Sequence, residues 1–400
     1  MTIAGIVAEY NPFHLGHQYH IRETRRLLGE DTAIVCVMSG DFVQRGEPAI
    51  FSKFARAEAA VRCGADLVVE LPLPWCMASA ERFAHGAIHI LGSLGVVDYL
   101  SFGSESGDIT TLEQVADCLD SELFRTGLSR FLDEGMPFAA CRQAVVRGIM
   151  GPEPAALLAQ PNDNLGVEYL KGIRRGGFPM KPIAVKRMGA GHDERTDDVM
   201  KSGFELRSML RNGENTVEHL PEAAYNVFAE EIRQSRGPVT LNDLEPMVLS
   251  RLRMLDKRAF AVLPDATEGL EGKLYAACEE ENSLEGIYAR AKSKRYTHSR
   301  IRRMTMYAAL GLTKDLFDTA PGYVRILALN ERGRSVLKRA KKTAMIEIIN
   351  KPAFVRDLAG SVGKTFVLTA KAHDLYVLGY KNTSFRTGNQ DWKASPRYIY

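Results

Sequence analysis

His14 and His17 stand three residues apart within IVAEYNPFHLGHQYH, residues 6–20. On a helix that spacing puts both imidazoles on one face, where they can donate hydrogen bonds to one anionic group such as a phosphate, in the imidazolium form if charged. Gly16 between them carries no side chain, which suits close approach of a nucleotide. The positioning elements are adjacent. Residues 3–8 are a short apolar run of strand length, Asn11-Pro12 enforces a turn, and a helical pattern follows from about Leu15 through Leu28. A helix N-terminus offers free N–H groups and the positive end of the helix dipole, both suited to phosphate. Two histidines at this spacing also occur as an ordinary solvated or core-edge pair. No third ligand at zinc spacing accompanies them, so a protein-held metal is not expected.

The rest of the first half supplies a frame for that segment. Residues 32–38 (TAIVCVM) and 65–71 (ADLVVEL) are nearly continuous apolar runs of the kind buried on both faces of a parallel sheet. With the intervening helices they read as βαβ units, and residues 96–102 add a fourth strand. Residues 39–49, holding Asp41, Gln44 and Arg45, lie past the carboxyl end of the second strand, where open α/β sheets bind ligands. Residues 52–63 read as an amphipathic helix with Lys53 and Arg56 on its polar side. Helices are expected over 79–94 (with His85 and His89 as packing or solvated residues), 109–132 and 137–149. A turn cluster at 160–166 precedes a helix at 167–174. Residues 181–188 read as a basic strand, followed by a small loop, Gly189 to His192, able to close over a phosphate. Ser202 is a plausible cap for the next helix, and Arg207 in its first turns opposes the dipole unless it meets an anion.

From about Asn212 helical periodicity dominates, so a boundary is expected there, with units 1–212 and 213–400. Residues 289–303 (ARAKSKRYTHSRIRR) hold seven cations interleaved with Tyr296 and His298, the footprint of an RNA-binding surface or of a solvated helix face. Residues 332–342 form a second basic cluster. The net charge of +3 by itself announces no polyanion partner. Six cysteines without metal spacing suggest reduced, buried thiols in a cytoplasmic protein. No signal-peptide pattern and no apolar run of membrane-spanning length is read.

Taken together, GIVAEYNPFHLGHQYH (5–20), SGDFVQRGEPAIFSKFARAEAAVRCGADLVVELP (39–72), LSFGSES (100–106), PNDNLGVEYLK (161–171), VKRMGAGH (185–192), SGFELRSML (202–210) and AKSKRYTHSRIRRM (291–304) resemble the bacterial tRNA(Met) cytidine acetate ligases, in the HxGH nucleotidyltransferase superfamily. The resemblance implies an α/β fold: a parallel-sheet, Rossmann-like nucleotidyltransferase domain, followed by a mostly helical RNA-binding domain. It implies ATP, with Mg²⁺ travelling on its phosphates, as co-substrate, acetate activated as acetyl-adenylate, and acetylation of N4 of the wobble cytidine of elongator tRNA(Met). Nucleotide contacts would come from Val7, Ala8, Glu9, Tyr10, Asn11, Pro12, Phe13, His14, Leu15, Gly16, His17, Gln18, Tyr19 and His20, and from Gly103, Asn162 and Arg187. His14, His17, Lys53 and Arg207 would carry the chemistry. Three departures stand out: Phe204 where the superfamily has a hydroxyl residue, Asp41 where asparagine is common, and Asp193 where an aromatic residue usually follows the loop histidine. A small-molecule adenylyltransferase with the same histidine chemistry, or a non-catalytic RNA-binding protein, is the competing reading.

Overall fold

A computed structural model of the chain describes residues 1–134, 136–187, 200–357 and 360–400, with only the backbone described at Phe354, Arg356 and Asp357. The expected loop at 189–192 lies outside these residues. The strands are β1 (Ile3–Ala8), β2 (Ala33–Ser39), β3 (Phe42–Val43), β4 (Glu47–Pro48), β5 (Leu67–Leu71), β6 (Tyr99–Ser104), β7 (Lys181–Lys186), β8 (Tyr323–Leu329), β9 (Glu347–Ile349) and β10 (Arg397–Tyr398). An eight-stranded sheet runs β10-β8-β5-β2-β1-β6-β7, with β9 also paired to β8, at the end of that strand away from β10, while β3 and β4 form a separate antiparallel hairpin. Strands β5, β2, β1, β6 and β7 are parallel. Their order reverses between β1 and β6, and that switch point opens a crevice at the carboxyl ends.

Helices α1 (Leu15–Leu28), α2 (Lys53–Arg62), α3 (Ala80–Ser93), α4 (Ile109–Asp120), α5 (Glu122–Asp133), α6 (Phe138–Met150), α7 (Pro152–Leu157), α8 (Pro161–Gly176), α9 (Gly203–Arg211) and α10 (Glu222–Arg233) surround the parallel strands. The apolar runs are buried on both sides, as a parallel sheet requires. Ala33, Val35 and Val37 of β2 join the core under α3 and α8, while Ile34, Cys36 and Met38 join the one under α2 and α10. The remaining helices are α11 (Leu241–Arg253), α12 (Lys257–Ala261), α13 (Leu270–Glu280), α14 (Leu284–Ala291), α15 (His298–Leu310), α16 (Glu331–Ala340), α17 (Gly360–Tyr376) and α18 (Gln390–Lys393). None is long and apolar enough to cross a membrane among the described residues.

Several local expectations change. The stretch read as a turn cluster at 160–166 is the first turn and a half of α8, because Pro161 sits at a helix start where its missing N–H costs nothing. The stretch read as one helix over 109–132 breaks at Ser121, which ends α4 and caps α5. Lys53 and Arg56, read on the polar side of α2, are fully buried. The part of the chain read as mostly helical contributes β8, which pairs antiparallel with β5, and β9 and β10 beside it, so a cut at 212 passes through the sheet.

Candidate active site

The crevice begins where β1 ends. Tyr10 takes a left-handed backbone (φ 46°) and turns its ring into the core, with its hydroxyl 3.2 Å from Cys36 Sγ. A cis Asn11–Pro12 bond follows. The Asn11 side chain accepts from Ile50 N–H (2.8 Å), and its carbonyl accepts from Arg207 Nη1 (2.7 Å). Arg207 therefore anchors the turn that presents the histidines. Pro12 and Phe13 are buried, so the stretch Val7 to His20 offers backbone at Val7, Ala8 and Glu9 and side chains from α1, where Leu15, Gln18 and Tyr19 are half-buried beside the histidines.

His14 is the N-cap of α1. Its Nδ1 accepts from Gly16 N–H (3.0 Å), and the His14 N–H donates to His17 Nδ1 (3.2 Å), a capping box built from two imidazoles. The rings lie 3.9 Å apart. With both Nδ1 atoms accepting, each neutral ring carries its proton on Nε2, so the cap fixes the tautomer and aims two donors outward. Burial, then the charges of His14 and Arg187, hold the His17 pKa well below the usual histidine value. This replaces the expected imidazolium with a neutral donor. His20, pulled down to about 4 by burial and then by Arg187, sits 2.9 Å from Ser101 Oγ, which in turn meets Thr24.

Gly16 has a reason within the protein besides the one expected. A Cβ there would lie 2.9 Å from His14 Cε1, so the glycine makes room for the capping ring. A Cβ on Gly203, at the start of α9, would lie 3.2 Å from Arg207 Nη1 and 3.9 Å from His14 Nε2. The N-terminus of α9, capped by Ser202 with Glu205 in a second capping box, therefore faces the His14 donor. Phe204 is exposed beside it.

Across the crevice two motifs lock together. Glu105 accepts from the Asn162 and Asp163 N–H groups (3.2 and 2.8 Å) and from Asn162 Nδ2 (2.6 Å). Asp163, fully buried, accepts in return from Glu105 N–H (3.0 Å), Ser106 N–H and the Ser104 hydroxyl. Gly103 lies just before this clamp, and Arg187, next to it across the β6–β7 pairing, lays its side chain over the glycine. Gly103, Asn162, Arg187, His14, His17 and Arg207 thus line one crevice. Asp163 and Glu105 were not picked out as site residues, since nothing in either motif alone shows the reciprocal pairing.

Lys53 is not brought there. Its Nζ lies 2.8 Å from Glu70, 2.9 Å from Asp391 and 3.9 Å from Asp41, with every partner side chain at most 2 % exposed. Arg325 joins through Asp391 (2.6 Å), and His373 Nδ1 meets Asp41 (2.7 Å). Burial alone would lower the Lys53 pKa, but the Asp391 and Glu70 carboxylates outweigh it and keep the ammonium charged. Burial would likewise lower His373, and Asp41 raises it instead. Asp41 is held below the usual carboxylate range: burial pushes it up, and His373 and Lys53 more than offset that. The unexpected aspartate therefore has buried cations around it. Arg56, also unpredicted, donates to the carbonyls of Glu9, Ser39, Gly40 and Phe51, tying the carboxyl ends of β1 and β2 to the next loop.

The basic run at 289–303 abuts this region. Glu47, in the β3–β4 hairpin, pairs with Arg302 of α15 (2.6 Å) and Arg211 of α9 (3.8 Å). Most of the run is engaged within the protein. Arg290 meets Glu280, Arg300 meets Glu268, Arg303 meets Asp265, and Lys292 donates to two carbonyls. Tyr296 is buried and bonded to the Glu268 carbonyl, so it is not a stacking surface. Lys294 and Arg295 stay exposed.

The sequence pattern of the HIGH Nucleotidyl Transferase family matches residues 1–391. A protein of Acetivibrio thermocellus named tRNA(Met) cytidine acetate ligase is 36% identical over 98% of both chains, and one of the same name from Alkaliphilus metalliredigens is 36% identical over 100% of this chain and 99% of its own. The crystal structure of Thermotoga maritima TmcAL bound with alpha-thio ATP superposes with a TM-score of 0.93 at 32% identity, covering all of both chains. The apo form of that protein gives 0.95.

Proposed function

Because the chain belongs to the HIGH nucleotidyl transferase family, and within it to the tRNA(Met) cytidine acetate ligases, we propose that it activates acetate with ATP and acetylates N4 of the wobble cytidine of elongator tRNA(Met). The observation that carries the reading is the pair of tautomer-fixed Nε2 donors on α1, facing the α9 N-terminus with Arg187 and Arg207 beside them. That arrangement suits a triphosphate: neutral donors, two guanidinium groups and a helix N-terminus around one crevice.

In the first step an acetate oxygen attacks the α-phosphorus and pyrophosphate leaves, giving acetyl-adenylate. His14, His17, Arg187 and Arg207 stabilise charge on the phosphates and hold them in line. In the second step the N4 amine attacks the acyl carbon, the amide forms, AMP leaves, and the amine loses a proton. No three His, Cys, Asp or Glu residues among the described ones are grouped to hold a metal. Mg²⁺ in this reading is brought on the ATP phosphates, where it offsets their charge. The helices of 241–310 form the RNA-facing part, with Lys294 and Arg295 as its open cations. Six free, buried cysteines suit a reducing compartment.

The test is the mass of an elongator tRNA(Met) transcript incubated with protein, ATP and acetate, with pyrophosphate followed in parallel. One added acetyl group on the wobble cytidine, lost in His17→Ala, is the expected result. Pyrophosphate release with no change in the tRNA would overturn it in favour of a small-molecule adenylyltransferase.

A further inference from the structure

The second basic cluster lies far from the crevice, and nothing in the activity just described uses it. Residues 331–342 hold six cations against one acid. They edge an open groove of about 1570 Å³ between α16 and β10. Its place follows from topology. Asp66 precedes β5, and Asn330 follows β8, which runs antiparallel to β5. The groove therefore sits at the amino ends of the parallel strands, opposite the histidines. Arg25, on its wall, lies eleven residues along α1 from His14, about 16 Å of helix rise.

The chemistry of the lining is polyanion-binding. Lys338 and Lys341 are exposed and form no ion pair among the described residues. Arg334 is 70% exposed and pairs with an equally exposed Glu331, which also accepts from the Tyr398 hydroxyl, so this contact is open to exchange. Arg332 is over a third exposed, 3.9 Å from Asp66. Tyr398 and Tyr400 stand on the facing wall with their rings edge to face, and Tyr400 is fully exposed. The contrast with 289–303 is direct, since there the cations are largely matched by carboxylates of the same chain. A groove of this size exceeds what a single small anion fills. Two exposed lysines a turn apart on one helix, beside the exposed Tyr400 ring, match a sugar-phosphate backbone.

We propose that the α16–β10 groove is a second RNA-binding surface, which holds the backbone of the tRNA at a distance from the nucleotide entering the histidine crevice. This rests on the tRNA reading above. The groove contributes affinity and orientation and takes no part in the chemistry.

The test uses the full chain and fluorescently labelled elongator tRNA(Met) transcript, with anisotropy titrations over a range of salt. The double variant Lys338→Ala/Lys341→Ala should raise Kd about tenfold near 0.15 M salt and reduce the slope of log Kd against log salt by about 1 per lysine. The KM for tRNA should rise with kcat and the KM for ATP unchanged. A control pair on α5, Arg125→Ala/Arg130→Ala, removes equal charge from an exposed face elsewhere and should leave Kd near the parent value. Unchanged affinity and slope in the lysine variant, or an equal loss in the control, overturns the groove proposal while parent protein still binds and acetylates tRNA. Failure of the parent to bind or acetylate the tRNA overturns the substrate reading itself, and the groove proposal with it.

Discussion

Replacing Lys53 by methionine separates a structural cation from a catalytic one. The ammonium is fully buried, 2.8 and 2.9 Å from two carboxylates and 3.9 Å from a third. At an effective dielectric constant near 20, each close pair is worth ~6 kcal/mol of gross attraction. Much of that is offset because the variant no longer desolvates an ammonium. Removing one partner from a buried ion pair leaves a net loss of about 3–5 kcal/mol. The loss should depend on pH. Burial already pushes the Glu70 carboxyl up, and Lys53 is the largest charge opposing that shift. Without it, Glu70 in the folded variant keeps a proton that the unfolded chain releases. A raised folded pKa gives stability that is complete below the ordinary glutamate range and lost as pH rises toward the folded value. The deficit of the variant relative to the parent should therefore be smallest near pH 5 and grow by up to ~1.4 kcal/mol per unit above that. Urea unfolding of both proteins at pH 5.5 and 8.0, with pyrophosphate release measured under folding conditions, reads both quantities. A deficit below about 1 kcal/mol at pH 8.0, or a large fall in kcat with unchanged stability, would refute the structural role and return Lys53 to the phosphates.

Other substitutions probe the crevice. His14→Asn keeps a good N-cap but loses the Nε2 donor, so activity should fall about 10²–10³-fold with unchanged melting temperature, while His14→Ala should cost about 1 kcal/mol of stability as well. Equal stability of the two variants would argue against the cap. Gly16→Ala adds a better helix former but pushes a methyl group against the His14 ring, so ATP turnover should drop without loss of stability; full activity would show that the ring need not lie there. The folded pKa of His20 lies below its unfolded value, so the unfolded chain gains a proton first as pH falls from about 6.5 to about 4, and stability declines across that window. His20→Gln, which can still donate to Ser101, should flatten the decline, and parallel pH profiles would contradict it.

The parallel core was legible because its evidence is local. Residues 32–38 and 65–71 are apolar on both faces, and the turn and histidines at 11–17 carry their own signals. Sequence reading faltered where partners are distant. Lys53 and Arg56 look polar on a helical wheel, because Asp391 lies 338 residues away and the carbonyls that hold Arg56 lie at or just past the ends of two strands and in a loop. The charge of 289–303 was visible, but Glu47, Asp265, Glu268 and Glu280, which neutralise it, sit in other segments. Strand β8 carries an arginine amid its apolar residues, and only pairing with β5 and the buried Asp391 explains why Arg325 belongs in a sheet. The His14 ring that a Cβ on Gly16 would meet is visible only once the cap has formed.

The placement of β8 and Asp391 also bears on synthesis. A ribosome delivers β1, β2 and β5 early, but the open side of β5 has no hydrogen-bonding neighbour until residues 323–329 emerge. Lys53 lacks its last countercharge until residue 391 is made. The nascent nucleotide-binding half must wait, incomplete, through the translation of the helices between 241 and 310, with an apolar strand edge exposed throughout. Expressing residues 1–212 and 213–400 as separate polypeptides would leave each without part of a shared sheet, and co-expression, rather than mixing after purification, is the route by which such halves would find one another.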